Sequence, residues 1–541
     1  MFGAGGGTSS YREAEETDLV LLWGSNARET HPIFFHHLLR GVRNGARLVA
    51  VDPRRTSSAE WADLWLGIDV GSDIALANAM AREIIHAGLA DTEFIARATS
   101  GYDDYAKCVE PYTLELAEAE TGVPAAAIKE VALDYGRADR AMICWTLGIT
   151  EHHNAVDNVL ALINLALLTG KVGRYGCGLN PLRGQNNVQG GGDMGAIPNR
   201  LPGFQDLEDP EKRAPFEKAW NAVVPPKRGY HLSQMFESME HGEMKAVYIV
   251  GENPARSEAD QTRAVRLLSG LDHLVVQDIF LTQTAELAHV VLPAAAGWAE
   301  SEGTVTSSER RVQRVRRALD PPAGARDDVE IISELAKRLG CDWGRPTAEQ
   351  VWDECRSLSP MHTGMAYARL DELGGIQWPC PDETHPGTQF LHARLWKDPV
   401  EGPRAPFSVV EHDPPVDKLT AEFPIRLTTG RRLDSFNTGV QTGAYTSPLR
   451  QREALLLSPA DGARLAIADG ERVLASSRRG SVEVPVRFDA TLRPGLAFLT
   501  LHFPDQVATN VLTIDATDPK SGTAEFKASA IRIDKLSTPV S

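Results

Sequence analysis

The sequence predicts an α/β fold: two duplicated Rossmann-like doubly wound domains plus a C-terminal β-barrel domain. Three observations predict it. At 541 residues the chain is long enough for three or four domains. Two blocks of strand–helix–strand texture share residues at matched places about 227 positions apart. From about Phe423 onward, short apolar runs alternate with Gly, Pro and Asp turns, the pattern of a barrel.

The elements follow in order. Residues 1–10 are Gly/Ser-rich and do not follow a strand, so their glycines make a poor dinucleotide fingerprint. Residues 18–23 (DLVLLW) read as a buried strand ending at Gly24-Ser25-Asn26, and a helical pattern runs on to about Gly41. Residues 47–51 (RLVAV) form the second strand, ending at Asp52-Pro53-Arg54-Arg55. Residues 73–86 read as an amphipathic helix and 157–168 as a largely apolar, buried one. A Gly/Asn/Gln-rich loop follows at 183–195, too long and too rich in amides for a simple turn. Residues 246–250 (AVYIV) are a strand ending at Gly251-Glu252-Asn253-Pro254, and 273–276 (HLVV) a strand running into Gln277-Asp278. Strands are expected at 425–428, 472–476, 482–488 and 497–501. The domain segments drawn from this are 1–183 and 184–340 for the two duplicated units, 341–420 as a connecting segment, and 421–541 for the barrel.

The duplication carries the functional argument. Gly24 and Asn26 map onto Gly251 and Asn253; Asp52, Thr56, Ala59, Glu60 and Ala62 map onto Asp278, Thr282, Ala285, Glu286 and Ala288. Open parallel sheets bind ligands beyond the carboxyl ends of their strands. Helix N-termini there offer N–H groups to phosphates, and an acid at the second strand end can bond ribose hydroxyls. The plainer reading makes Asp52 and Asp278 turn caps. Two units at matched positions favour two nucleotide-like moieties, or one large ligand with two similar halves.

Net charge is −17, which argues against a nucleic-acid binder. Concentrated arginines at Arg310-Arg311, Arg314-Val315-Arg316-Arg317 and Arg431-Arg432 read either as a buried anion site or as a solvated basic face. The six cysteines form no close pair, which speaks against a disulfide framework and an iron–sulfur site, and reads as six buried structural thiols. No run reaches 18 uncharged apolar residues, so no membrane insertion is expected. No signal peptide is visible, and the expected compartment is the cytoplasm.

The most specific run is Pro181-Leu182-Arg183-Gly184-Gln185-Asn186-Asn187-Val188-Gln189-Gly190, with Asp193-Met194-Gly195. With it stand Glu302-Gly303-Thr304, Thr429-Gly430-Arg431, Asn437-Thr438-Gly439, Asn510 and Glu525-Phe526-Lys527. Together these resemble the molybdopterin oxidoreductase (DMSO reductase) superfamily, and within it the alpha subunits of molybdenum- or tungsten-dependent formate dehydrogenases. The resemblance covers nearly the whole chain. It implies two molybdopterin guanine dinucleotides carrying Mo or W, one per duplicated unit, and formate as substrate with Arg183 orienting it. It implies cofactor contacts in the first unit from Gly24, Asn26, Asp52, Pro53, Arg54, Gly71 and Asp73. In the second they come from Gln185, Gly251, Asn253, Gln277, Asp278 and Thr282. In the barrel they come from Thr429, Gly430, Arg431, Asn437, Thr438, Gly439, Asn510 and Lys527. It also implies iron–sulfur, NAD-linked or other electron-transfer partner subunits. The family's clustered cysteines, and the Cys or selenocysteine that ligates its metal, do not stand in this sequence, so no metal ligand is assigned; they are expected upstream of Met1 or on a separate polypeptide, with a natural, catalytically impaired relative as the third alternative. An assimilatory nitrate reductase and a non-catalytic scaffold subunit of a respiratory complex are the alternatives.

Overall fold

The computed structural model describes residues 5–433 and 452–536. Its residues fall into two compact units that follow contact rather than chain order. One holds Met1–Ser10, Arg183–Asn253 and Leu268–Leu391; the other holds Tyr11–Leu182, Pro254–Leu267 and His392–Ser541. The domain segments drawn from sequence are contiguous, whereas these units are not.

In the second of these units, β1 (Leu19–Trp23), β2 (Arg47–Val51), β3 (Leu64–Leu66), β4 (Ala141–Trp145) and β5 (Gly178–Pro181) form a parallel sheet in the order β3-β2-β1-β4-β5. All five residues of β1 and of β4 are buried, as a parallel sheet covered on both faces requires. Helix α1 (Pro32–Arg43) starts on a proline, whose missing N–H is harmless in a first turn, and buries Phe34, Phe35 and Leu38. Helix α2 (Asp73–His86) keeps its predicted bounds but not its predicted amphipathicity. It packs against α3 (Ala125–Arg137) and α4 (Ala155–Leu168), so eleven of its fourteen residues are buried, and its run of alanines makes that close approach possible. Asn164, the polar residue inside the apolar α4, is satisfied on both sides of its amide by Ser408: Nδ2 donates to the carbonyl at 2.7 Å and Oδ1 accepts the N–H at 3.0 Å.

The first unit holds the 183–195 loop, and within it a six-residue helix α5 (Val188–Asp193) where sequence texture predicts only loop. It also holds the parallel strands β6 (Ala246–Val250), β7 (His273–Asp278) and β8 (Val290–Pro293), in the order β8-β7-β6. An antiparallel sheet of β9 (Gly303–Thr306), β10 (Arg311–Val315) and β11 (Ile376–Gln377) completes it.

The barrel belongs to the second unit. Its strands β12 (Ile425–Gly430), β13 (Leu455–Leu457), β14 (Arg472–Ser476), β15 (Ser481–Phe488), β16 (Leu496–Thr500) and β17 (Ser529–Lys535) close in the order β12-β16-β13-β15-β14-β17. β14 and β15 alternate buried and exposed residues, and the inward set Val473, Ala475, Val484 and Val486 joins Ile425, Leu427 and Ile531 in one core.

The thiols divide. Cys144, Cys177 and Cys380 are buried, but Cys341 is exposed and Cys108 and Cys355 are half-buried, so the expectation of six buried thiols holds for three. No helix among the described residues is long and apolar enough to cross a membrane.

Candidate functional site

At the carboxyl end of β1 the chain turns through Gly24 with φ +57°. A Cβ there would stand 2.8 Å from the carbonyl carbon of Gly148, and one on Gly148 would stand 2.5 Å from the Gly24 oxygen. Two bare backbones thus meet beyond the ends of β1 and β4, where the strand order reverses and open sheets take their ligands. Thr146 Oγ1 donates to the Gly24 carbonyl at 2.7 Å. Asp52 Oδ1 accepts the Arg54 N–H at 2.9 Å, closing an Asx turn over Pro53. Desolvation raises the Asp52 carboxyl and lowers the Arg54 guanidinium from their ordinary values. The Arg54 guanidinium lies 3.6 Å over the Phe498 ring, and among the described residues no side chain or carbonyl accepts from it. Gly430 leaves room there, since a Cβ on it would sit 2.9 Å from the same ring. Lys527 Nζ donates to the Thr429 carbonyl at 2.9 Å and pairs with Glu151 at 2.9 Å, close enough to stabilise the Asp52 charge. Thr429 Oγ1 donates to the Phe526 carbonyl at 3.0 Å. Burial lowers Arg431 as well.

The structure therefore brings Asp52, Arg54, Thr429, Gly430 and Lys527 together. Other candidates are held in packing roles. Asp73 accepts from Trp23 Nε1 at 2.8 Å, tying α2 to the end of β1, and burial raises its carboxyl. Gly71, at φ +86°, admits Pro415 where a Cβ would clash at 2.6 Å. Asn510 Nδ2 donates to the carbonyls of Arg256 and Ser257, each at 3.0 Å. Asn437, Thr438 and Gly439 lie outside the described residues.

The second copy repeats the register and the turn bonds of the first. The register Leu19↔Arg47 of the first sheet reappears as Ala246↔His273, and Val49↔Leu64 as Val275↔Val290. Asn26 Oδ1 accepts the Ser58 N–H at 3.2 Å and hydroxyl at 2.8 Å; Asn253 Oδ1 accepts the Thr284 N–H and hydroxyl at the same two distances. Thr56 and Thr282 each accept the N–H three residues on. Asp278 Oδ1 accepts the Phe280 N–H at 3.2 Å, the counterpart of the Asp52 turn. Gly251 turns at φ +65° as Gly24 does, but into open space. Gln277 is wholly buried, its amide held between Tyr248 and Asp328.

The 183–195 loop is braced from several directions. Arg183 Nε donates to Gln189 Oε1 at 3.0 Å and Nη2 to the Gly5 carbonyl at 2.9 Å. Gln189 Nε2 donates to Gly5 O at 3.1 Å and to Asp193 Oδ1 at 2.8 Å. Trp378 Nε1 donates to Asp193 Oδ2 at 2.7 Å. Burial pushes the Asp193 carboxyl up to about 6 against those bonds, and lowers Arg183. Asn187, at φ +60°, accepts the Thr306 N–H at 2.9 Å, and only a glycine at 190 clears its side chain. Gln185 is exposed on this loop. A cavity of about 370 Å³ beside it is lined by Asn186, Asn187, Trp298, Glu302 and Thr304 among others.

Sequence reasoning missed the bracing groups. Arg310 belongs to a cluster that reads as a possible anion site, yet it is wholly buried and donates to the carbonyls of Gly7, Trp378, Thr388 and Gln389. Its neighbours Arg314 and Arg316 pair with Asp371. In the second unit His153 bonds Glu525 at 2.8 Å and Asp413 at 3.0 Å. The Glu525 bond leads the causes that raise His153 to about 9. Burial of Glu525 would raise its carboxyl, but the bond from His153 and the nearby His152 imidazole, 3.8 Å away, hold it at about 2. Partners so far apart in sequence leave no local signal. Among the described residues no three His, Cys, Asp or Glu side chains converge to hold a metal ion.

A family model described as Molybdopterin oxidoreductase matches residues 4–338, and one described as Molydopterin dinucleotide binding domain matches residues 425–530. The F420-dependent formate dehydrogenase 2 subunit alpha of Methanococcus maripaludis is 41% identical over 540 residues, 99% of this chain and 79% of that protein. Formate dehydrogenase H of Escherichia coli is 36% identical over 542 residues, 99% of this chain and 75% of that protein. Acetylene hydratase from Pelobacter acetylenicus matches as a solved structure with a TM-score of 0.73 over 98% of this chain and 79% of that one; at 19% identity this likeness is one of fold.

Proposed function

The chain belongs to the molybdopterin oxidoreductase family and is of the formate dehydrogenase alpha type, and from that premise we propose that it oxidises formate to carbon dioxide. The reaction releases one proton and two electrons. In this reading the chain holds two molybdopterin guanine dinucleotides with Mo or W, one per copy of the duplicated unit. That group, when bound, supplies the acceptor for the two electrons, which pass on to iron–sulfur partner subunits.

The residues present fit such a ligand. Arg54, whose guanidinium takes no acceptor among the described residues, has the charge and geometry for a pyrophosphate, with Arg431 and Lys527 adding charge. Asp52 and Asp278 offer carboxylates to ribose hydroxyls or to guanine N–H groups. Gly24 and Gly148 keep side chains away from the strand ends.

The observation that carries the substrate assignment is the bracing of Arg183. A guanidinium fixed by Gln189 and Gly5, with Gln189 fixed in turn by Asp193, is an oriented cation. It suits a one-carbon carboxylate, which it holds by charge and by paired N–H donors. Fixing a small anion in one orientation lowers the barrier by removing its freedom beforehand.

The test is formate turnover by the cofactor-loaded enzyme carrying Arg183→Ala or Arg183→Lys. We expect turnover to fall roughly 100-fold or more, the scale of a misplaced substrate, with Mo or W content unchanged. Normal turnover in Arg183→Ala would overturn the assignment, and so would a wild-type enzyme that reduces nitrate and leaves formate untouched.

A further inference from the structure

The sense of one buried amide decides whether Arg183 is braced. Arg183 Nε only donates, so the Gln189 atom 3.0 Å from it is the amide oxygen. The amide nitrogen therefore faces Gly5 O at 3.1 Å and Asp193 Oδ1 at 2.8 Å, two acceptors. Gln189 opens α5 and Asp193 closes it, one turn apart on the same face of the helix. They are 2% and 1% exposed, so bulk water does not compete for these bonds.

Asp193 is pinned in this contact. Its backbone carbonyl accepts the N–H groups of Gly203 at 2.7 Å and Phe204 at 3.2 Å. Its second carboxyl oxygen accepts the Trp378 indole N–H at 2.7 Å. As a carboxylate, Asp193 thus accepts on both oxygens and serves both donors. Once protonated, it needs an acceptor where two donors stand. The indole cannot supply one, because its N–H only donates. The amide can, by a half-turn about its last torsion, which brings Oε1 to the Asp193 hydroxyl. That turn sets Nε2 against Arg183 Nε, donor against donor, and takes a donor from the Gly5 carbonyl.

We propose that Asp193 is a positioning residue for Arg183: its negative charge holds the Gln189 amide in the bracing sense, and loss of that charge turns the amide over and releases the guanidinium. This rests on the reading of Arg183 as the group that orients formate. The charged groups that face Asp193 are Arg183, from the same loop, and Arg310, from the turn before β10. Burial raises the carboxyl to about 6 against both charges and against the bonds from Gln189 and Trp378. The brace therefore forms as pH rises through about 6 and is lost below it. Formate, with an ordinary carboxyl acidity of about 4, stays mostly an anion through this range.

The test is the pH dependence of formate KM and kcat in the cofactor-loaded enzyme, with the formate dissociation constant from calorimetry as a reading independent of turnover. With only the braced form taking formate, KM and the dissociation constant should rise about tenfold from pH 7 to pH 5, while kcat at saturation holds. Asp193→Asn should have a KM about tenfold or more above wild type at pH 7, and flat over the same range. In that variant the side-chain oxygen faces the Trp378 N–H, so the side-chain nitrogen turns the Gln189 amide. Adding Trp378→Phe removes that N–H and lets the new amide present its oxygen to Gln189, so KM should fall roughly threefold or more from the single variant. A merely structural role predicts the reverse, because deleting the indole from a packed core adds damage. A flat wild-type KM, a wild-type KM in Asp193→Asn, or a double variant no better than the single one would each overturn the inference while leaving Arg183-dependent formate turnover standing. Normal turnover in Arg183→Ala would instead overturn the formate reading, and this inference with it.

Discussion

Trp378 donates its indole N–H to Asp193 at 2.7 Å, and the two are wholly buried together at the far side of the loop that carries Arg183. The bond favours a charged Asp193, but burial wins and sets the carboxyl near 6 instead of its ordinary 3.8. The fold thus holds a proton between those values that the unfolded chain has released. Stability should fall as pH rises from about 4 to about 6 and level off above. A shift of this size corresponds to about 2–3 kcal/mol. Urea midpoints measured across that window should show the slope in the wild type and lose it in Asp193→Asn; an unchanged slope in the variant would assign it to another group.

The two equivalent glycines should respond unequally. Gly24→Ala combines a left-handed backbone with a Cβ pressed on Gly148, and should cost about 3 kcal/mol. Gly251→Ala carries the backbone strain into open space and should cost about 1 kcal/mol. Equal losses in denaturant titrations would show that contact with Gly148 contributes nothing.

His153 and Glu525 form a pH-bounded clasp. The raised histidine contributes fully below 6.5 and loses its contribution as pH climbs through about 9; the depressed glutamate contributes fully above 4.5 and loses it as pH falls through about 2. The clasp is therefore complete between pH 4.5 and 6.5. The stability difference between wild type and His153→Gln should be largest there and shrink by pH 9.5, as thermal unfolding at the two pH values would show. A difference that stays constant to pH 9.5 would refute the clasp.

Arg54 and Asp52 should govern cofactor loading. Arg54→Leu keeps an apolar contact on Phe498 and deletes the guanidinium charge; Asp52→Asn keeps the acceptor of the turn and deletes the carboxylate charge. Each should lower Mo or W, and the guanine nucleotide freed by acid, at least tenfold per chain, as mass spectrometry of the purified proteins would measure. Full loading in both variants would remove the first unit from the proposed cofactor site.

The strand ends were the legible part of the molecule. Gly24, Asn26 and Asp52 repeat at Gly251, Asn253 and Asp278 because the same turns recur, and turns are dictated by local chemistry. The barrel strands were legible because alternation reports one wet and one dry face. The all-round burial of α2 was not, because Arg82, Glu83 and His86 give the helix a polar texture while α3 and α4 cover it. Nor was α5, where three glycines argue against a helix and the bracing of Gln189 and Asp193 prevails. At Asn26 and Asn253 the sequence marks the position without revealing that the amide oxygens hold Ser58 and Thr284.

The bonds of Gly5 also bear on the order of folding during synthesis. Its carbonyl accepts from Arg183, 178 residues later in the chain, and Thr8 O accepts from Leu391, later still. At about 5–20 residues per second a ribosome needs roughly 10–40 s to pass from Arg183 to Leu391. Through that interval Tyr11–Leu182 can already collapse around its own sheet while the Thr8 carbonyl waits for its donor. The glycines of that stretch then have a kinetic virtue: a segment without bulky apolar side chains can stay solvated through a long wait without seeding aggregation.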